Sequence, residues 1–420
     1  MAELSQAVLE DRPAHSYSPV TEAMPRPAAM RQAVHIEIYD DLDSVENEWR
    51  RFEASADCTV FQSFDWLSCW HRHIGGRLKV RPAIVVGRRA GGEPLFLMPL
   101  AVAPRVVRRL TWLGSDLCDY NAPLLASDFP DQVTPAEFHD LWSSICRMLQ
   151  QRPQHRHDLI ELTKMPERVG AHANPFVRFD VRLNPSGAHF MPLQGTWDEF
   201  YHAKRSSATR RRDRTKRKRL GEFGEVRFVT PQALDDVART LEILIEQKSK
   251  AFARMGVANI FTPPGHREFF FDLATNPRSR HLVHVSRLEV GPTWAATNFG
   301  LVYGHNYYHV LASYNDGDLA RFGPGAAHLR DLLGYAIGCG LRCFDFTIGD
   351  EPYKMEWSEG TLNLYDFVVP ASLRGWPVAA VARVRRGLVR MIKQNPILWS
   401  AFSRLRQTLA PAPKKTASED

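Results

Sequence analysis

Clustered cysteine, long apolar runs and a compact apolar stretch among the first residues are what these 420 residues lack. Its six cysteines, Cys58, Cys69, Cys118, Cys146, Cys339 and Cys343, stand singly and mostly inside apolar runs. That spacing excludes a disulfide scaffold and reads as reduced core filler. Cys339 and Cys343 lie near each other, but a zinc site asks for a second pair or clustered histidines, so no metal is expected. No window reaches the roughly twenty apolar residues of a membrane span. The first 33 residues carry Pro, Ala, Ser and mixed charge where a leader would carry a compact apolar core. They are expected to be a disordered tail, and the protein is expected in the cytoplasm. No cysteine or serine stands in a setting that would activate it as a nucleophile.

What is present suits two cores. The chain is too long for one ordinary core, and 44% hydrophobic with 24% charged residues is a globular balance. Patterning begins at Val34. Phe64, Leu67 and Trp70 share helical spacing. Two apolar runs, 82–86 and 95–102, flank Gly91-Gly92-Glu93-Pro94, turn chemistry that predicts a hairpin. A helix over 135–149 and a strand over 158–162 complete an α+β half spanning 34–185. The second half, 186–370, opens with a dense basic run over 204–220 and a helix over 234–254. Three strands follow over 281–289, 294–303 and 306–314, punctuated by Gly291-Pro292 and Gly304-His305, which predicts an antiparallel meander. Gly323-Pro324-Gly325 then leads into a helix over 326–339 and a short strand over 342–346. Residues 371–408 read as a basic amphipathic segment and 409–420 as a second disordered tail.

Several stretches are candidates for chemistry. Helix N-termini hold unpaired N–H groups and partial positive charge, so Gly323-Pro324-Gly325-Ala326 suits a cofactor pyrophosphate; a plain helix-start turn explains it as well. The stretch from Asp345 to Lys354 puts Asp345, Asp350, Glu351, Tyr353 and Lys354 at a strand end, where α/β sheets place their sites. Asp350 or Glu351 would serve as base, Tyr353 would protonate a leaving thiolate, and Lys354 would neutralise a phosphate or position the acceptor. An ordinary salt-bridged surface loop is the plainer alternative. Asp345, between Phe344 and Phe346, is expected to be structural, hydrogen-bonding loop backbone. His309 and Tyr314 face opposite sides of one strand, and His309 reads as a structural histidine. The basic run, with Arg210, Arg211 and Arg214, lacks the aromatic interleaving of a base-stacking surface, so nucleic acid is not the expected partner. It reads as a solvated helix face or as a funnel for an anionic substrate, consistent with a net charge of +7. The stretch 374–406 holds arginines, lysines and apolar residues with no acid. It suits either an anionic membrane surface or packing on the second domain.

Together these motifs resemble the GNAT-like acyltransferases of the CelD/BcsL type, which are related to the FemAB peptidyltransferases. The resemblance covers roughly residues 34–369 and rests on Phe61-Gln62-Ser63-Phe64-Asp65-Trp66-Leu67, Glu93 to Leu100, the basic helix, Gly323-Pro324-Gly325 and Asp345 to Lys354. It implies an α/β fold of two tandem GNAT-like domains and an acyl-CoA donor, in the first place acetyl-CoA, bound near Arg321, Gly323, Gly325 and Ala326. It implies an acceptor in the cleft between the halves, a small-molecule or lipid-linked sugar of the cell envelope or an exopolysaccharide, and it makes Lys354 the leading site residue. One departure stands out: Ala320 occupies the slot where GNAT enzymes carry Gln or Arg, with Arg321 displaced by one. FemAB relatives use aminoacyl-tRNA as donor, which gives a second reading; a non-catalytic subunit of a polysaccharide-synthesis complex is a third.

Overall fold

The computed structural model describes residues 34–394. The tails 1–33 and 409–420, and the far end of the segment 371–408, lie outside the described residues. Two sheets organise the rest. In the first, strands run in the order His35–Tyr39, Arg81–Arg88, Pro94–Ala103, Arg109–Trp112, Leu159–Pro166, Leu364–Pro370, Arg182–Leu183. In the second the order is Val226–Val229, Val283–Val290, Thr293–Tyr303, Asn306–Tyr314, Cys343–Ile348, Ala188–Pro192, Gly360–Leu362.

The local rules that shaped the expectation operate here. The hairpin forms across Gly92, with Val85 opposite Met98, and its unbroken apolar runs are buried on both faces, as in a strand covered by helices on each side. Helix Pro135–Gln151 starts at a reciprocal Thr134–Glu137 capping box and buries Phe138, Trp142, Ile145 and Leu149, a single stripe at steps of four, three and four. The meander is present, antiparallel, with Phe299 opposite Leu311 at its centre.

Two expectations need correction. The second half does not close at 370 on its own sheet: Leu364–Pro370 crosses back and pairs antiparallel with Leu159–Pro166 of the first. Its Leu364, Phe367 and Val368 are buried, and the first sheet's apolar faces are where that burial is available. Helix Gly375–Gln394 follows the strand and packs on that same first sheet, through Ala379 against Val107, Leu159 and Val368, rather than on the second sheet.

The halves share one core. Trp66 meets Phe269 edge-on at 4.9 Å and Phe61 meets Tyr308 at 5.8 Å. Such edge-to-face pairs add to what area burial alone contributes.

Candidate active site

The site grows from a fork in the second sheet. Strand Asn306–Tyr314 pairs in parallel with Cys343–Ile348 over only three positions, ending at Tyr308 and Asp345. Beyond these, both strands continue without each other. On its other side, Cys343–Ile348 pairs with Ala188–Pro192, and there Phe346 is the extra residue of a bulge: His189 faces Thr347 and Phe190 faces Asp345. A bulge bends its strand and re-aims neighbouring side chains. Thr347, directly after it, adopts φ of 60°. A β-branched residue held in that region stores about 1–3 kcal/mol of strain, of a kind that gathers at functional sites.

Around the fork the fold assembles charge. Lys354 lies in the short helix Pro352–Trp357 and is buried; its Nζ donates to the Ile348 carbonyl at 2.8 Å and pairs with Glu351 Oε2 at 3.0 Å. An ammonium has three hydrogens, so one is left without a partner among the described residues. Lys248, from helix Leu234–Met255, reaches the other strand and donates to the Ala312 carbonyl at 3.0 Å. Burial holds its pKa below the ordinary lysine range, with Lys354 adding to the depression and Glu351 opposing it. The two ammonium groups thus hold the two parted strands.

Asp345 sits at the apex. Its Oδ1 accepts from Tyr120 Oη at 2.6 Å, across the joint between halves, and from the Thr347 N–H at 2.7 Å. Burial pushes its carboxyl up to about 7, with nearby Asp119 adding to the rise, against the two hydrogen bonds and Lys354. Asp119, from the first half, is also raised by burial, opposed by Lys164, Thr347 and Lys354. Lys164 fixes that loop by donating from Nζ to the carbonyls of Ser115 and Cys118. His309 is buried and pushed down to about 3 by burial, then by Lys354, His328 and Lys248. With the Asn298 amide oriented so that each atom meets a partner, its nitrogen donates to His309 Nδ1 at 2.9 Å. The neutral ring therefore carries its hydrogen on Nε2. The expectation of a structural histidine fits its burial, while its ring contact with Tyr353 and the influence of Lys354 and Lys248 on it put it within the site.

Other expected residues fall in different places. Tyr353 is 38% exposed, its ring edge-on to Phe346 and His309; burial and the Glu351 carboxylate push its hydroxyl up, so it stays protonated. Asp350 turns away from Lys354: its Oδ1 lies 3.4 Å from His189 Nε2 and from the Gly187 N–H, on the Ala188–Pro192 side. The left-handed φ of 125° at Gly349 makes that turn. Of the two candidate bases, Glu351 meets Lys354 as an ion-pair partner.

The glycine loop lies at the start of helix Pro324–Gly338. Gly323 takes φ of 66°, and the N–H groups of Gly325 and Ala326 have no partner among the described residues. A Cβ placed on Gly323 would lie 3.7 Å from Lys216 Nζ, so a lysine of the basic helix Ser207–Gly221 stands over the loop. Arg321 instead lies over the Phe322 ring at 5.0 Å on the exposed side. Arg210 turns inward, donating to the carbonyls of His202 and Arg205. Arg211 and Arg214 are exposed, with no ion pair among the described residues.

Sequence reasoning missed Asp119, Tyr120 and Lys216 as site residues. Lys248 carried a signal, a lysine in register with buried Leu241, Leu244 and Ile245; Asp119 and Tyr120 carried none, because their partner is in the other half.

An α/β arrangement of two sheet-centred halves, the second forked and carrying a glycine loop at a helix start, defines a tandem GNAT-like fold. Residues 207–355 match the acetyltransferase (GNAT) domain family, a segment that contains the basic helix, the glycine loop, the fork and Lys354. Among solved structures, the chain is similar to FemX, with 9% identity over 83% of this chain and 99% of that one and a TM-score of 0.54. It is also similar to a conserved protein of unknown function from Bacteroides thetaiotaomicron VPI-5482, with 11% identity over 79% of this chain and 99% of that one and a TM-score of 0.50. At these identities the likeness is one of fold. Among curated proteins, none matches this chain by sequence. The fold is therefore α/β, two tandem GNAT-like domains, the second of acyltransferase type.

Proposed function

We propose that the protein transfers an acyl group directly from acyl-CoA to an amino or hydroxyl group of an anionic sugar-containing precursor of the cell envelope or an exopolysaccharide. The observation that carries this reading is the fork: two parallel strands parted just where a half-buried carboxyl, the buried Lys354 and the half-buried Lys248 converge. Parted strands present backbone groups that an extended pantetheine-like arm can pair with, since buried N–H and C=O groups require partners. The glycine loop and Lys216 suit the pyrophosphate of such a donor. Asp345 accepts the proton of the attacking group, since a carboxyl poised near neutrality is suited to that task. Lys354, with a free N–H, and the Nε2–H of His309 favour negative charge developing on the carbonyl oxygen. Tyr353 keeps its proton for the departing thiolate.

Acetyl-CoA should raise the melting temperature of the full-length protein, because a ligand that binds only the folded state stabilises it. Thiol release should then depend on an amino-sugar acceptor. No shift with any acyl-CoA, in a folded sample, overturns the donor assignment. A second reading, an aminoacyl-tRNA-dependent transferase, is favoured by Arg211 and Arg214, which are exposed and make no ion pair among the described residues.

A further inference from the structure

Helix Gly375–Gln394 is amphipathic in an inverted sense. Pro377, Val381, Val384, Leu388 and Met391 follow one another at steps of four, three, four and three, which aligns them on one face. That face points away from the protein: Val381 is 66% exposed, Val384 64%, Leu388 50% and Met391 54%. The opposite face, with Ala379 and Ala382, packs on the first sheet. A globular helix normally presents its charge to solvent and its apolar stripe to the core. Here the stripe that needs cover has none within the chain as described.

The basic residues flank the stripe on both sides. On one side Arg182, Arg383 and Arg390, together with Asp180 and Asp366, line a cavity of about 350 Å³; on the other Arg385, together with the Arg109–Glu161 pair, Lys164 and Asp366, lines one of about 390 Å³. Arg182, Arg385 and Arg390 make no ion pair among the described residues, and one guanidinium nitrogen of Arg386, which lines both cavities, is buried without a partner. The described part of the helix carries no acidic residue. Near the start of the helix, Leu373 is 88% exposed and Trp376 60%. The loop bearing fully exposed Val106 is held beside them, because the Asp158 carboxyl accepts from both the Arg108 N–H and the Ser372 hydroxyl.

We propose that this face docks on an anionic lipid bilayer, the apolar ridge entering the acyl boundary and the flanking arginines meeting headgroup phosphates. Charge selects this occupant. A second copy of the chain would bring the same excess of arginine against itself, and a purely apolar partner would leave the guanidinium groups unpaired. An apolar ridge between two rows of cations is the arrangement by which an interfacial helix uses both attractions. The inference stands on this helix and does not depend on the reaction.

The test is co-sedimentation of the full chain with vesicles of phosphatidylcholine alone and of phosphatidylcholine mixed with phosphatidylglycerol. The expected result is binding to the anionic vesicles only, weakened by salt. The double substitution Val384→Ser with Leu388→Ser should lower partitioning by more than about tenfold. Arg385→Gln and Arg390→Gln should each lower it about fivefold. Because these side chains point outward, all variants should keep the parent's melting curve, which separates loss of docking from loss of fold. Absence of binding to anionic vesicles overturns the proposal, as does equal binding to neutral ones. So does a lipid-free dimer, seen by sedimentation velocity, that Leu388→Ser dissociates, since the stripe would then be covered by a second copy.

Discussion

Replacing Lys354 by methionine removes a charge while keeping most of a buried stem. The side chain is only 5% exposed, and its nitrogen serves the Ile348 carbonyl and Glu351. Glu351, which is more than half exposed, regains water when its partner goes. The Ile348 carbonyl is the group at risk, and an orphaned buried acceptor costs about 1–3 kcal/mol. The stability loss should therefore be modest, a lowering of the melting temperature by a few degrees with cooperative unfolding retained. The catalytic loss should be larger. A preorganised donor facing developing negative charge accounts for about 100- to 1,000-fold in rate, and the neighbouring Lys248 is already committed to the Ala312 carbonyl on the far strand. The assay is acceptor-dependent thiol release from acetyl-CoA, read as kcat and KM for each substrate, alongside a thermal melt. Lys354→Met with turnover within a few-fold of the parent would refute the reasoning. A variant that binds donor normally, unfolds cooperatively and turns over slowly is the expected outcome.

Two further predictions concern protons and salt. If Asp345 accepts the substrate proton, kcat/KM should rise with pH through a midpoint near 7, where its carboxyl is held. Asp345→Asn should abolish that limb along with most of the rate. The same shift has a stability sign. A carboxyl raised in the folded state binds its proton more tightly there than when unfolded, so its contribution is full below the unfolded pKa and is lost as pH rises to about 7. Asp345→Asn should therefore flatten the decline in melting temperature over that window. His309, held near 3, stays neutral in the folded protein above pH 5 and adds nothing to the rate profile there, while the stability tied to its neutral ring is full above the ordinary histidine value of 6.5 and is lost as pH falls from there toward 3. Replacing Arg211 and Arg214 by serine should weaken an anionic substrate in KM and reduce its salt dependence without changing kcat. Tight tRNA binding with a steep salt slope that this pair of substitutions reduces would favour the aminoacyl-tRNA reading instead.

The legible parts of the molecule were those set by neighbours in sequence. The Gly91-Gly92 hairpin, the Thr134 cap with its apolar stripe, the three-stranded meander and the glycine loop at a helix start each follow from spacing and turn chemistry within some twenty residues. The candidate site was half legible for the same reason. Lys354, Glu351 and Asp345 lie within one strand–loop–helix unit and could be grouped by position. Their ranking could not be read. Asp350 and Glu351 were equivalent as adjacent acids, and only the turn at Gly349 sends the first to His189 and leaves the second beside Lys354. Asp345 looked structural because apolar residues flank it. It does bind backbone, yet the Tyr120 hydroxyl on the same oxygen comes from a residue 225 positions away.

The strand that crosses back ties these observations together. After the fork, the chain runs through the helix carrying Lys354, pairs Gly360–Leu362 with Ala188–Pro192, and at once enters the first sheet as Leu364–Pro370. Asp366 on that strand accepts from the Lys164 N–H and from the Asn184 amide, and Lys164 in turn holds the loop of Asp119 and Tyr120 through its own amine. The short helix with Lys354 is thus anchored in both sheets, and the loop that meets Asp345 from the first half is fixed by the strand that leaves the second. Joining the halves and assembling the charge cluster are one structural event. A half cut at 370 would expose an unpaired apolar strand edge, a template for aggregation, and would lack Tyr120. For that reason each substitution above has meaning only in the full chain, where the carboxyl, the two lysines and the parted strands are held together.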